Sequence, residues 1–295
     1  MNGEQIQALV ERIHKSDVQI IQSIYHYTTD EATTKILSSN GISFRMTHID
    51  NFEDKSEGKL INTFYKEALS KLLTAKIITK TIYEKLSTIP IAKLPSLVPA
   101  NNPDNKVYRI SDSDAYVLCF CTKKDDDNMF MNYVKNENNK GYCIEFRSTN
   151  IVPKRKSTER FIFKKILYGN DVVDDIVSYI TDLLNIIEDF NDELFRTWYK
   201  GLIEIYLQTL QYFAKAESFR DENEIRLVLI LPKAEDVSEN FIDHNNTKEK
   251  NGNKYTYIEL LKTQFVNITP SLNVTTEEYT NMKDQLKANN YRCRV

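Results

Sequence analysis

The chain has 295 residues, of which 41% are hydrophobic and 27% charged, and its formal net charge is only −3. That length can bury a substantial core, while the near-neutral balance excludes a whole-surface field for nucleic acid or an acidic membrane. Glycine is scarce, at 7 residues, and neither a GxGxxG nor a GxxxxGK[ST] run occurs, which excludes the Rossmann dinucleotide fingerprint and the phosphate loop of NTPases.

Ile6, Leu9, Val10 and Ile13 recur at helical intervals and predict an amphipathic helix over 4–15. Its segment "MNGEQIQALVERIHKSD" lacks an apolar stretch of signal-peptide length, and no run reaches bilayer length, so a cytoplasmic protein without membrane attachment is expected. A strand over 20–28 follows, carrying Tyr25-His26-Tyr27-Thr28. Thr29 or Asp30 is placed to cap a helix through Leu37, with Gly41 as its left-handed C-terminal residue. "ISFRMTH" (42–48) alternates as a strand, "IDNFEDKSEG" reads as an acidic loop, and a helical pattern runs from about 59 to 87.

Pro90, Pro95, Pro99 and Pro103 predict an irregular loop or lid over 88–106. "AYVLCFCT" (115–122) is almost continuously apolar and predicts a strand buried on both faces. A short helix over 126–136, strands at 141–148 and 160–169, and helices over 171–216 come next. "NEIRLVLIL" (223–231) is a strong strand closed by Pro232. Strands near 255–262 and 265–272, a helix over 275–289 and a terminal strand at "YRCRV" complete the chain. The elements describe a single α+β domain over 1–295 with a mixed or antiparallel sheet, flanking helices and a helical insertion at 171–216.

Chemistry concentrates in few places. An extended 222–230 would put Glu222, Glu224 and Arg226 on one face and Ile225, Leu227 and Leu229 on the other. That pattern fits an edge strand bearing an ion pair, or a carboxylate held at a sheet end to meet developing positive charge, with arginine keeping its neighbour ionised. His26 and Thr28 share one strand face, where an imidazole and a hydroxyl can hold the two oxygens of a ribose, while Tyr25 and Tyr27 share the other. Asp54 and Glu57 offer too few oxygens for a hard metal. Cys119 and Cys121 lie on one strand face but lack a second ligand pair for zinc, so no metal is expected. Phe130 and Tyr133, a helical turn apart, are expected to pack on the 141–146 strand. "PKRKSTERFIFKK" holds six Lys or Arg against one Glu and reads as a solvated hairpin loop.

In motif order these stretches resemble the bacterial domain-of-unknown-function family 2971. The Tyr25-x-Tyr27-Thr28 strand, the Phe52-Glu53-Asp54-x-x-Glu57 loop, the strand ending at Cys119 to Thr122, Phe130-x-x-Tyr133, Gly141, and Phe219-x-x-Glu222-x-Glu224-x-Arg226 carry the likeness. The loop lacks the family's Asn and Pro, a Phe stands for its Trp, and its Ser-x-Ile-Pro tail is not seen.

The layout is similar to that of ADP-ribosyltransferase-like toxins and anti-phage effectors. The resemblance implies NAD as substrate, with His26 and Thr28 on the nicotinamide ribose. Tyr25, Tyr27 or Tyr133 would stack on nicotinamide, with Arg226 nearby. Glu224 or Glu222 would be the catalytic carboxylate, acting on a protein or nucleic-acid acceptor. Two other classes stay open. One is a non-catalytic module binding a nucleotide, an RNA or a partner protein of the same operon; the other is a metal-dependent nuclease built on Asp54, Glu57, Glu222 and Glu224.

Overall fold

The computed structural model describes residues 3–14, 22–52, 59–91, 96–99, 108–111, 113–124, 126–134, 138, 140–148, 160–186, 199–232, 247–250 and 252–293. The chain forms one large curled, antiparallel sheet with helices packed around it, an α+β fold. Its central strand is β6 (Ser113–Cys121), the continuous apolar run. β11 (Glu224–Pro232) pairs along the whole of one edge of β6, and β8 (Arg160–Lys165) pairs outside β11. β11 is therefore an interior strand, and the edge-strand reading of its charged start does not hold.

The other edge of β6 is shared. β3 (Gly41–His48) meets it at Val117 and Tyr116, while β1 (Ser23–Thr29) meets it at Cys121 alone. Between these contacts the sheet forks. Beyond β3 lie β13 (Asn253–Leu260) and β12 (Thr247–Lys250). Beyond β1 lie β7 (Gly141–Arg147) and β14 (Phe265–Pro270). Gly141 is required where β7 passes β1: a Cβ there would stand 2.2 Å from the Thr28 carbonyl oxygen and 2.7 Å from Val134.

Alternation along β11 sorts its side chains between two cores. Ile225, Leu227, Leu229 and Leu231 join Phe44, Phe120 and Phe146 under α8 (Thr276–Ala288). Val228 and Ile230 join Val117, Ile162, Tyr212 and Phe213 on the opposite face. Burying both faces explains the near absence of polar residues in these strands. A separate apolar cluster is built by α1 (Gly3–His14), α3 (Ile61–Thr74), α4 (Lys80–Leu86), α6 (Asn170–Asn185) and α7 (Lys200–Leu210). α6 and α7 leave and return through β9 (Leu167–Tyr168) and β10 (Ala214–Lys215), the one parallel strand pair among the described residues.

Several local expectations change. Thr29 caps α2 (Asp30–Ile36) through the Ala32 amide, but Gly41 opens β3 after a tight turn from β2 (Leu37–Ser38) rather than closing the helix. Its φ of 146° is one a side chain rarely adopts. The proline-rich stretch contains a ladder of β4 (Ser96–Pro99) with β5 (Tyr108–Ser111), where Pro99 stands at the strand end and removes no interior bond. Residues 291–293 form no strand; Tyr291 is buried against Phe265 and donates to the Ser38 carbonyl. Cys119, Cys121, Cys143 and Cys293 are free thiols. Among the described residues no helix is long and apolar enough to cross a membrane.

Candidate functional site

A cavity of about 880 Å³ opens at the end of the sheet where β6 finishes and β11 begins. The chain makes its floor by a sharp reversal. A 3₁₀ turn (Glu217–Glu222) ends at Asn223, which adopts a left-handed φ of 45°, and β11 starts at the next residue. Asn tolerates this conformation better than other side-chain-bearing residues. The strand register begins at Glu224, so Glu222 lies in the turn and outside the alternation that relates Glu224 to Arg226. The turn still brings Glu222 and Glu224 to opposite sides of one cation, Lys215 of β10, whose Nζ lies 2.7 Å from Glu222 Oε2 and 2.7 Å from Glu224 Oε2.

Glu224 is 3% exposed and Arg226 1%. The guanidinium grips the carboxylate with two bonds, Nε to Oε1 at 2.6 Å and Nη2 to Oε2 at 3.2 Å, and spends Nη1 on the Tyr212 carbonyl at 3.1 Å. The Cys119 thiol borders the same cavity as Glu224, and the Glu224 amide donates to the Tyr168 hydroxyl at 2.8 Å. Burial by itself would raise the Glu224 pKa; Arg226 and Lys215 outweigh it and hold the carboxyl at about 2. Burial, together with the Glu224 charge, pushes the Cys119 thiol well above its ordinary range, which removes it as a nucleophile. Two aromatic rings flank the cations: Phe52 lies 5.3 Å from the Arg226 guanidinium carbon, and Phe219 lies 5.0 Å from Lys215 Nζ.

Glu222 differs from Glu224 in access. Its side chain is 18% exposed at the cavity wall, where Tyr133 also stands. Tyr133 comes from α5 (Asp127–Tyr133), capped by the Asp126 carboxylate on the Asn128 and Met129 amides. Phe130 packs inward as expected, but Tyr133 is 38% exposed and turns to the cavity. Burial, then the charges of Glu224 and Glu222, raise its pKa, so it keeps its proton.

The β1 residues separate from this floor. Tyr25, Cys121 and Glu224 stand in register across β1, β6 and β11. His26 comes from the opposite phase, and its ring enters the fork, edge-on to Phe44 and Phe120. There Nδ1 lies 3.0 Å from the Cys119 carbonyl oxygen. A carbonyl only accepts, so Nδ1 carries the proton and Nε2 is the unprotonated nitrogen of the neutral ring. Burial lowers the His26 pKa, against a smaller opposing effect of this bond.

His26, Tyr25 and Tyr27 border a crevice of about 60 Å³ that Tyr133, Glu222 and Glu224 also line. His26 and the acid pair thus reach the same end of the sheet, from strands on either side of β6. Tyr27 is spent on structure: its hydroxyl donates to the Lys123 carbonyl at 3.0 Å and accepts from the Asp126 amide at 3.1 Å, pinning the start of α5. Thr28 shares the His26 face yet borders neither cavity.

Asp54, Glu57 and the basic residues Lys154 to Lys156 lie outside the described residues. Among the described residues no group of three or more His, Cys, Asp or Glu is placed to hold a metal. Lys215 carries no signal in the sequence, because a lone lysine between an aromatic helix end and an acidic turn looks like any solvated lysine. No protein-family model, curated protein or solved structure matches the chain significantly, so the family resemblance rests on motif order alone.

Proposed function

We propose that the chain is a cytoplasmic NAD-cleaving enzyme of ADP-ribosyltransferase-like type, with Glu222 rather than Glu224 as the carboxylate that meets the ribose. The observation that carries this reading is the contrast between the two acids. Glu224 is closed in by Arg226 and Lys215, whereas Glu222 is fixed by Lys215 and faces a cavity of ligand size. Glu224 then acts as a positioning residue: it anchors Lys215, which anchors Glu222. As the glycosidic bond lengthens, positive charge grows on the ribose ring. A pre-oriented carboxylate favours that charge mainly in the transition state. Phe52, Phe219 and Tyr133 supply flat surfaces for a base or nicotinamide ring.

Release of nicotinamide from NAD by purified protein tests the reading. Glu222→Gln is expected to slow release by about 10²–10³, on the scale of one preorganised electrostatic contact, with the fold kept. NAD that is neither consumed nor raises the melting temperature removes the reading. A non-catalytic nucleotide-binding module is favoured instead by how completely Glu224 and Arg226 satisfy one another. It would show as NAD binding without turnover.

A further inference from the structure

We infer that the part of the substrate seated in the cavity is a cationic N-riboside, with no phosphate bound inside, so that small pyridinium ribosides are turned over at least as well as the dinucleotide. This rests on the NAD-cleaving reading and narrows its substrate class. The described lining residues carry four acids against three bases, one negative charge in excess. Each of those bases already has a carboxylate partner in the same wall. Lys123 stands 3.5 Å from Asp126, Lys215 bridges Glu222 and Glu224, and Arg226 grips Glu224. A diphosphate would have to displace one of these carboxylates or lie beside them, and both are electrostatically uphill in a partly dehydrated site.

A pyridinium riboside meets the opposite situation. Its single positive charge is attracted by the excess acid, and the aromatic rings suit its flat heterocycle. The chemistry agrees. When the C1′–N bond breaks, the electron pair goes to the ring nitrogen, and the heterocycle leaves as a neutral amine that needs no proton. Water adds to C1′ and releases one proton, so riboside cation plus water gives nicotinamide, ribose and H⁺.

Nicotinamide release is measured from nicotinamide riboside, nicotinamide mononucleotide and NAD, with thermal shift on the same three compounds. The expected result is a kcat/KM for the riboside equal to or above that for NAD. Asp221 lines the cavity and has no ion-pair partner among the described residues. Asp221→Lys is expected to move the ratio toward NAD by about fivefold, because it supplies the missing cation. A preference of the unmodified protein for NAD of about tenfold or more, falling steeply with salt, overturns this inference and leaves the NAD-cleaving reading standing. No release from, and no stabilisation by, any of the three compounds overturns both.

Discussion

Arg226 reaches back two residues along its own strand to Glu224, Nε to Oε1 at 2.6 Å, and both groups are almost wholly buried. Neighbours two apart on a strand share a face, so the pair closes without help from another element. What tertiary structure adds is the second cation, Lys215, carried in by β10 from the far side of the helical segment. The result is a chain of four alternating charges, Arg226–Glu224–Lys215–Glu222, that is neutral inside and ends at the cavity.

Removing the inner acid should therefore damage the fold, and removing the outer one should not. Glu224→Gln strips Arg226 and Lys215 of their shared partner and is expected to cost about 3–5 kcal/mol in stability. Glu222→Gln leaves Lys215 paired with Glu224 and is expected to cost about 1 kcal/mol or less. Urea unfolding of the two variants measures this; equal losses would show that the buried acid has no special structural role.

Acid should weaken the protein through the same group. The Glu224 carboxyl is held at about 2 in the fold, against an ordinary value of 4.5. On lowering the pH, the unfolded chain takes up its proton first, so protonation favours unfolding across that window. The stabilisation, on the order of 3 kcal/mol, is complete above about pH 4.5 and is lost as the pH falls toward 2. Unfolding free energies at stepped pH should fall more steeply for the unmodified protein than for Glu224→Gln. Parallel curves would contradict the assignment.

His26 should titrate below an ordinary histidine. Burial disfavours its charged form, so the unfolded chain protonates first and stability declines as the pH drops below about 6.5. Nitrogen-15 spectra are expected to show the Nδ1–H tautomer, retained below the usual midpoint. His26→Phe keeps a ring between Phe44 and Phe120 but leaves the Cys119 carbonyl without its donor, which should cost about 1–3 kcal/mol and flatten that slope. A midpoint at or above 6.5 would place the ring in water.

Gly141 should tolerate no side chain. Alanine would put its Cβ against the Thr28 carbonyl and Val134, and backbone on one side cannot yield as a flexible side chain would. Gly141→Ala is expected to cost at least about 2–3 kcal/mol. Because Val134 directly follows α5, it should also disturb Tyr133, visible as a change in tyrosine fluorescence. A variant as stable as the unmodified protein would mean that β1 and β7 part easily.

Much of this molecule was decided by local pattern. The alternation in 224–231, the unbroken apolar run of 115–121 and the cap at Thr29 depend on neighbours a few residues away, and each element formed near its predicted place. Contacts of long sequence separation decided the rest. Strand phase could place His26 on a face but could not reveal that β1 and β3 diverge from β6 and leave a fork for its ring. Spacing joined Glu222 to Glu224, yet a single left-handed residue, Asn223, put the first in a turn and the second in the sheet. Lys215 became the hinge of the site only when the helical segment returned it beside residues its own sequence neighbourhood does not announce. Side-chain type is written in the chain, whereas the partner that sets its charge state and access is chosen by which strands pair.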